Sequence, residues 1–254
     1  VTASSYSSGE HVTFYESAQA VQPWVRSQRK AARDRITHEH LLASSAIPFV
    51  FPAKGITIDG HTEYFGDGSM RQSAPIAAAI HLGAERVLVI GAGRMHEPRG
   101  DSTAPPSPSY PSLAQIAGHA LSNIFLDALS VDVERVQRIN QTLSLIPEEK
   151  RTHSALRPVE LLVIAPSQRL DAIAARHVGD LPGPVRTMLG ALGVTSNMAD
   201  VRGAALASYL LFEQGYTQEL MALGRADTLA RRADVCRFFG WKDTGAALRT
   251  RLPT

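Results

Sequence analysis

Two runs constrain the fold more than any other feature. RVLVIGA at 86–92 and VELLVIAPS at 159–167 are apolar where a half-exposed strand would alternate. Unbroken apolar runs of this length are typical of parallel strands covered on both faces. The first follows APIAAAIHLGA, an Ala-rich run with helical character that stops near Gly83. Strand, helix and strand in that order predict a right-handed crossover and an α/β fold.

The flanking segments are read from turn and capping signals. Residues 1–6 and 11–15 are β-branched and aromatic around SSGE, which predicts a hairpin. Residues 16–37 carry Trp24, Arg26, Arg29, Lys30, Arg33 and Arg35 and read as a solvated helix face with a minor prospect of anion contact. Thr37 is an N-cap for a short helix that ends before Pro48. Asp59-Gly60 sits between two apolar segments and predicts a hairpin turn, after which HTEYFG delivers Asp67. Five prolines fall within 96–111, which predicts a linker or lid. From Ser112 and Gln115, a capping-box pair, apolar residues recur at helical spacing from Leu113 to Leu143, predicting one long helix over 112–146. A helix is expected to begin near Ser167. Beyond 183 the chain reads as helices cut at Gly193, Gly215, Gly224 and Gly240.

The bulk numbers exclude several classes. Twenty-six basic against 24 acidic residues, with no long single-sign run, leave no basic stripe for nucleic acid. One cysteine, Cys236, excludes a disulfide framework and reads as a small buried hydrophobe. The longest apolar stretch, 203–212, is about half a membrane span. The chain opens on a strand-like pattern without an initiator Met, which reads as an entry in mid-domain. VIGAGRMH offers two glycines after a strand, but the third position of a dinucleotide loop falls on His96 and the Pro-rich segment follows. His38 and His40 are two apart, which puts them on different helix faces and predicts solvated side chains instead of a metal pair.

YFGDGSMRQSAP is the remaining candidate for chemistry. An acid between Gly66 and Gly68 closes a strand, and its plain reading is a turn or an N-cap. Its surroundings add more. HLLASSAIPFVFP followed by YFGDGSMRQSAPIAAAIHLGAERVLVIGAG resembles the C-terminal half of a bacterial patatin-like phospholipase domain, most densely over 41–93. GAALASYLLFEQGYTQELMALGRADTLARR is similar to the tail of many bacterial members.

The resemblance implies a three-layer α/β/α, lysophospholipase-like core. In it, 1–95 would be the second half of the catalytic domain and 96–111 the linker or lid. Residues 112–254 would form a mainly helical extension with one strand near 159–165. It further implies that Asp67 is the acid of a Ser–Asp dyad, supported by Gly66, Gly68 and Ser69, the last standing where the family usually has Gly or Ala. A serine hydroxyl needs an adjacent base to become a nucleophile, and partial burial would make an Asp a better one. No metal or organic cofactor is expected.

The family's Gly-x-Ser-x-Gly elbow and Gly-rich oxyanion loop occur nowhere in the 254 residues. The serine cluster ASS at 43–45 matches a packing segment. The nucleophile is therefore expected on the N-terminal half of the same domain, outside this chain. The substrate would be a lipid or other acyl ester, with peripheral membrane contact and a cytoplasmic or membrane-peripheral location. A rival reading is a degenerate patatin-like module that binds lipid or serves as a scaffold.

Overall fold

The computed structural model describes residues 1–48, 50–95, 113–151, 156–191, 194 and 201–243. It is a mixed α/β chain in two compact units, Val1–Ala84 with Ala120–Arg157, and Glu85–His119 with Pro158–Thr254.

The first unit is built on a six-stranded sheet. Its strands are β1 (Thr2–Ser5), β2 (His11–Tyr15), β3 (Val25–Arg26), β4 (Arg29–Arg33), β5 (Lys54–Ile58) and β6 (His61–Asp67), in the order β3-β4-β2-β1-β6-β5. The expected hairpin is β1–β2, antiparallel with Ala3 opposite Val12. β5 and β6 turn on Asp59 and Gly60, both at positive φ (50° and 80°), the backbone that a tight two-residue hairpin requires. Only β2 and β4 run parallel in this sheet.

The helix face expected over 16–37 is instead β3 and β4. Pairing with β2 decides this: Ala31 lies opposite Thr13 and is buried, while the arginines beside it reach solvent. Tertiary pairing here outweighs a charged composition that suits a helix equally well.

Helix α1 (His38–Ser44) covers one face of the sheet. Ala43 joins Ala3, Val12, Phe14, Ile56 and Phe65 in the core. The Thr37 N–H donates to His40 Nδ1 at 3.2 Å, which closes the first turn. His40 is buried against the edge of Phe14 at 4.7 Å, with Nε2 3.5 Å from the Asp34 carboxylate, and is not the solvated side chain expected. His38 is exposed, as expected. Helix α2 (Ala77–His81) stops before Gly83, whose φ of 99° favours glycine.

Helix α3 (Leu113–Ser144) spans 32 residues, about 48 Å at 1.5 Å per residue. Val133, Val136 and Leu143 form its buried stripe, whereas Leu113 and Ile116 are exposed, so the expected stripe does not reach the N-terminal turns. Asp132, also buried, accepts the Ile76 N–H at 2.9 Å and pairs with Arg135. A short helix, α4 (Glu148–Arg151), follows.

In the second unit, β7 (Arg86–Ile90) and β8 (Glu160–Ile164) pair in parallel with Val87 opposite Leu161, as the apolar runs predicted. They form a two-stranded sheet, and β6 is not a member of it, so no β6–α2–β7 crossover joins one sheet. Val89 and Leu162 are buried, but Leu88 and Ile90 are exposed. The apolar run therefore marks the strand without guaranteeing that both faces are covered. Helices α5 (Leu170–His177), α6 (Gly183–Ala191), α7 (Val201–Ser208), α8 (Gln214–Ala230) and α9 (Arg232–Phe239) complete the unit. α5 starts close to the expected Ser167.

Gly215 and Gly224 lie inside α8 and do not cut it. A Cβ at Gly215 would stand 3.1 Å from His177 Cε1, so this glycine gives α5 room to approach. Gly240, at φ 68°, does end α9 as expected. Cys236 is half-buried. The Pro-rich 96–111 segment, Gly193 and the side chain of Ile124 lie outside the described residues. Among the described residues, no helix is long and apolar enough to cross a membrane.

Candidate active site

Asp67 is the last residue of β6, where β1 and α1 converge on the strand end. Ala3 of β1 lies directly opposite it, and the Asp67 N–H donates to the Ala46 carbonyl at 3.0 Å, just past α1. These two contacts fix the backbone on both sides. The side chain is 7% exposed.

Burial is the main influence on this carboxyl and pushes its pKa up, because the charged form loses hydration. Hydrogen bonds from the Ser69 N–H and hydroxyl work in the opposite direction. Oδ1 accepts the Ser69 N–H at 2.8 Å and caps a 3-10 turn over Gly68–Arg71. As a dyad acid, Asp67 is expected at a strand end with its carboxylate facing a cleft, instead of capping a helix or pairing with an arginine. Its strand position is as expected, and no arginine pairs with it among the described residues. The capping role is a correction. The cause is local: a turn that begins at Gly68 leaves its first N–H groups without backbone acceptors, and the nearest carboxylate takes one.

The flanking glycines lie close against their neighbours, Gly66 against an exposed side chain and Gly68 against backbone. A Cβ at Gly66 would lie 2.4 Å from Tyr6 Oη and 2.8 Å from its ring. One at Gly68 would lie 2.4 Å from the Thr2 carbonyl oxygen and 2.5 Å from Thr2 Oγ1. Neither glycine adopts positive φ. Tight turning is thus not their role; they let β1 and Tyr6 close over the strand end. Ser69 is half-buried and supplies the capped N–H.

Sequence reasoning missed His11. It is buried, and the Gly68 carbonyl, in the peptide next to Asp67, favours the protonated form of its ring. Burial lowers its pKa most, the Gly68 carbonyl opposes this, and the charge of Arg29 adds to the lowering. Among the described residues, His11 Nδ1 and the Ser4 hydroxyl have no hydrogen-bond partner, although Ser4 and His11 are directly opposite across β1–β2. The signal was present in HVTFY: Val12 and Phe14 enter the core, so period-two alternation puts His11 and Thr13 together on the other face.

No group of three or more His, Cys, Asp or Glu side chains among the described residues could hold a metal ion. What the arrangement offers is a single buried carboxylate, oriented by one backbone N–H and enclosed by glycines. A carboxylate of this kind can accept a proton from a partner hydroxyl. Compared with protein-family models, curated proteins and solved structures, the chain matches none.

Proposed function

We propose that this chain is the second half of a patatin-like lipid acyl hydrolase domain, with a three-layer α/β/α core and a helical extension, and that Asp67 is the base of its Ser–Asp dyad. One observation carries the reading. Asp67 is buried at a strand end between two glycines, the second kept free of a side chain by the Thr2 backbone, and burial raises its affinity for a proton. Its pKa moves in the direction a general base at neutral pH requires. The Ser69 N–H orients the carboxylate through Oδ1.

On this reading the reaction runs through Asp67. A serine from the N-terminal half of the domain gives its proton to Asp67 as its oxygen attacks the ester carbonyl. The alcohol leaves with that proton, and water, deprotonated by the same carboxylate, releases the acid. No residue of this chain is assigned as the nucleophile. The protein would act in the cytoplasm or at a membrane surface on a lipid or similar acyl ester.

The second reading, a degenerate module that binds lipid or serves as a scaffold, draws on one observation. The Asp67 carboxylate is already engaged as a cap. Fluorophosphonate labelling separates the two. The intact protein, with its upstream sequence, is expected to label stoichiometrically on one serine outside this chain, while the 254-residue chain alone does not label. An intact protein that fails to label would favour the degenerate module. Labelling of a serine within this chain would refute the assignment of the nucleophile to the other half.

A further inference from the structure

The hairpin β3–β4 has no part in the hydrolase reading. Its register sets Arg26 directly opposite Arg29 across a turn of Ser27 and Gln28, the latter at a φ of 59°. Like charges directly opposed on an antiparallel pair repel. The next residue, Lys30, is neutralised by Glu10 at 3.1 Å and Glu63 at 3.8 Å. Arg26 and Arg29 meet no carboxylate among the described residues. Arg26 is exposed and Arg29 half-buried, so both guanidinium groups reach solvent.

A platform stands beside them. Trp24 is stacked between Tyr15, at 6.0 Å, and His81 of α2, at 5.0 Å. Burial depresses the pKa of His81, and the charges of Arg26 and Arg29 depress it further, so both arginines lie within electrostatic reach of the ring. Two cations paired across one hairpin thus lie in the same region as the Trp24–His81 stack, and among the described residues no carboxylate pairs with either arginine.

We propose that Arg26, Arg29 and His81, backed by Trp24, bind a phosphate group. Guanidinium groups match phosphate oxygens with paired N–H donors, and a tetrahedral anion can accept from three sides at once where a carboxylate cannot. A phosphate between Arg26 and Arg29 also removes their mutual repulsion. The proposal does not rest on the hydrolase reading. The group is carried either by a lipid headgroup or by free phosphate.

The test uses the 254-residue chain. Trp24 indole and His81 ring resonances are followed during titration with inorganic phosphate, with sodium chloride at matched ionic strength as the control. Co-sedimentation with phosphatidylcholine vesicles containing phosphatidic acid is compared with vesicles containing oleate at equal surface charge. The expected result is a saturable shift at both rings with phosphate and none with chloride, and a rise in the His81 pKa. Arg26→Gln and Arg29→Gln are each expected to weaken binding about tenfold. Arg33→Gln leaves it unchanged, because Arg33 is already engaged with the Ser17 carbonyl. Binding to phosphatidic acid over oleate that inorganic phosphate displaces assigns the headgroup as the source. Binding of inorganic phosphate alone assigns the free ion. Chloride acting as phosphate does, Arg33→Gln costing as much as Arg26→Gln, or no saturation with either phosphate source would overturn the proposal.

Discussion

Replacing Gly68 by alanine puts a methyl group 2.4 Å from the Thr2 carbonyl oxygen, where ordinary contact begins at 3.4 Å. The obstacle is backbone, so no rotamer change relieves it. Thr2 is held in β1, whose next residue pairs with Val12 on one side and Asp67 on the other. A strand or the 3-10 turn must therefore move by roughly 1 Å, and overpacking of this kind costs about 1–3 kcal/mol. With a urea m-value of about 1–3 kcal/mol/M, the unfolding midpoint falls by roughly 1 M. Trp24 lies in the first unit and Trp241 in the second, so fluorescence in a Trp241→Phe background reports the first unit alone. Gly224→Ala is the internal control. It lies within α8 with nothing inside 4 Å of the new Cβ, and, read through Trp241 in a Trp24→Phe background, it should stabilise the second unit by about 0.5–1 kcal/mol. An unchanged midpoint for Gly68→Ala would refute the close packing of β1 against the Asp67 turn.

Two further predictions concern packing and charge. Val136→Asp buries a charge in the stripe of α3 and should destabilise the first unit by a few kcal/mol, read as a fall in melting temperature. An unchanged value would show that stripe to be exposed in solution. His177 bonds Asp180 at 2.8 Å and Glu219 at 2.9 Å, tying α5 to α8, and these bonds raise its pKa, Asp180 contributing most. Because the folded pKa lies above the unfolded one, the stabilisation is complete below about pH 6.5 and is lost as the pH rises through the folded value. Glu219 is shifted down, by His177 first and Arg176 second, so its share is lost at the acid end, as the pH falls through its folded value. Urea unfolding of wild type and His177→Gln should therefore converge as the pH rises above neutrality, and a gap that widens there would contradict this account.

The sequence announced those features whose cause is local. Asp59-Gly60 names its own turn, the spacing of Val133, Val136 and Leu143 names a helix face, and the runs at 86–90 and 160–164 name two parallel strands. Features set by distant partners were not legible. Nothing between 16 and 37 indicates that β4 lies beside β2, and the Ser27-Gln28 turn carries no glycine to mark it. Whether Leu88 and Ile90 are covered depends on neighbours that a periodic pattern does not specify. At the candidate site, Asp67 was visible as an acid between glycines. The reason for the glycines was not, because Thr2 and Tyr6 come from β1 and the turn after it, about 60 residues away. His11 escaped for the same reason: its importance lies in its place beside Ser4 and the Gly68 carbonyl, which only the fold creates.

The central claim, that Asp67 is a general base, is tested most directly by ester hydrolysis in the intact protein carrying Asp67→Asn. Asparagine caps a turn about as well as aspartate does, so the Ser69 N–H keeps an acceptor and the melting temperature should stay nearly unchanged. The amide cannot take the serine proton. Hydrolysis of a p-nitrophenyl ester should therefore fall by about 100-fold or more, the scale of a lost positioned base. Full activity in a folded Asp67→Asn protein would contradict the account and leave Asp67 as a turn cap.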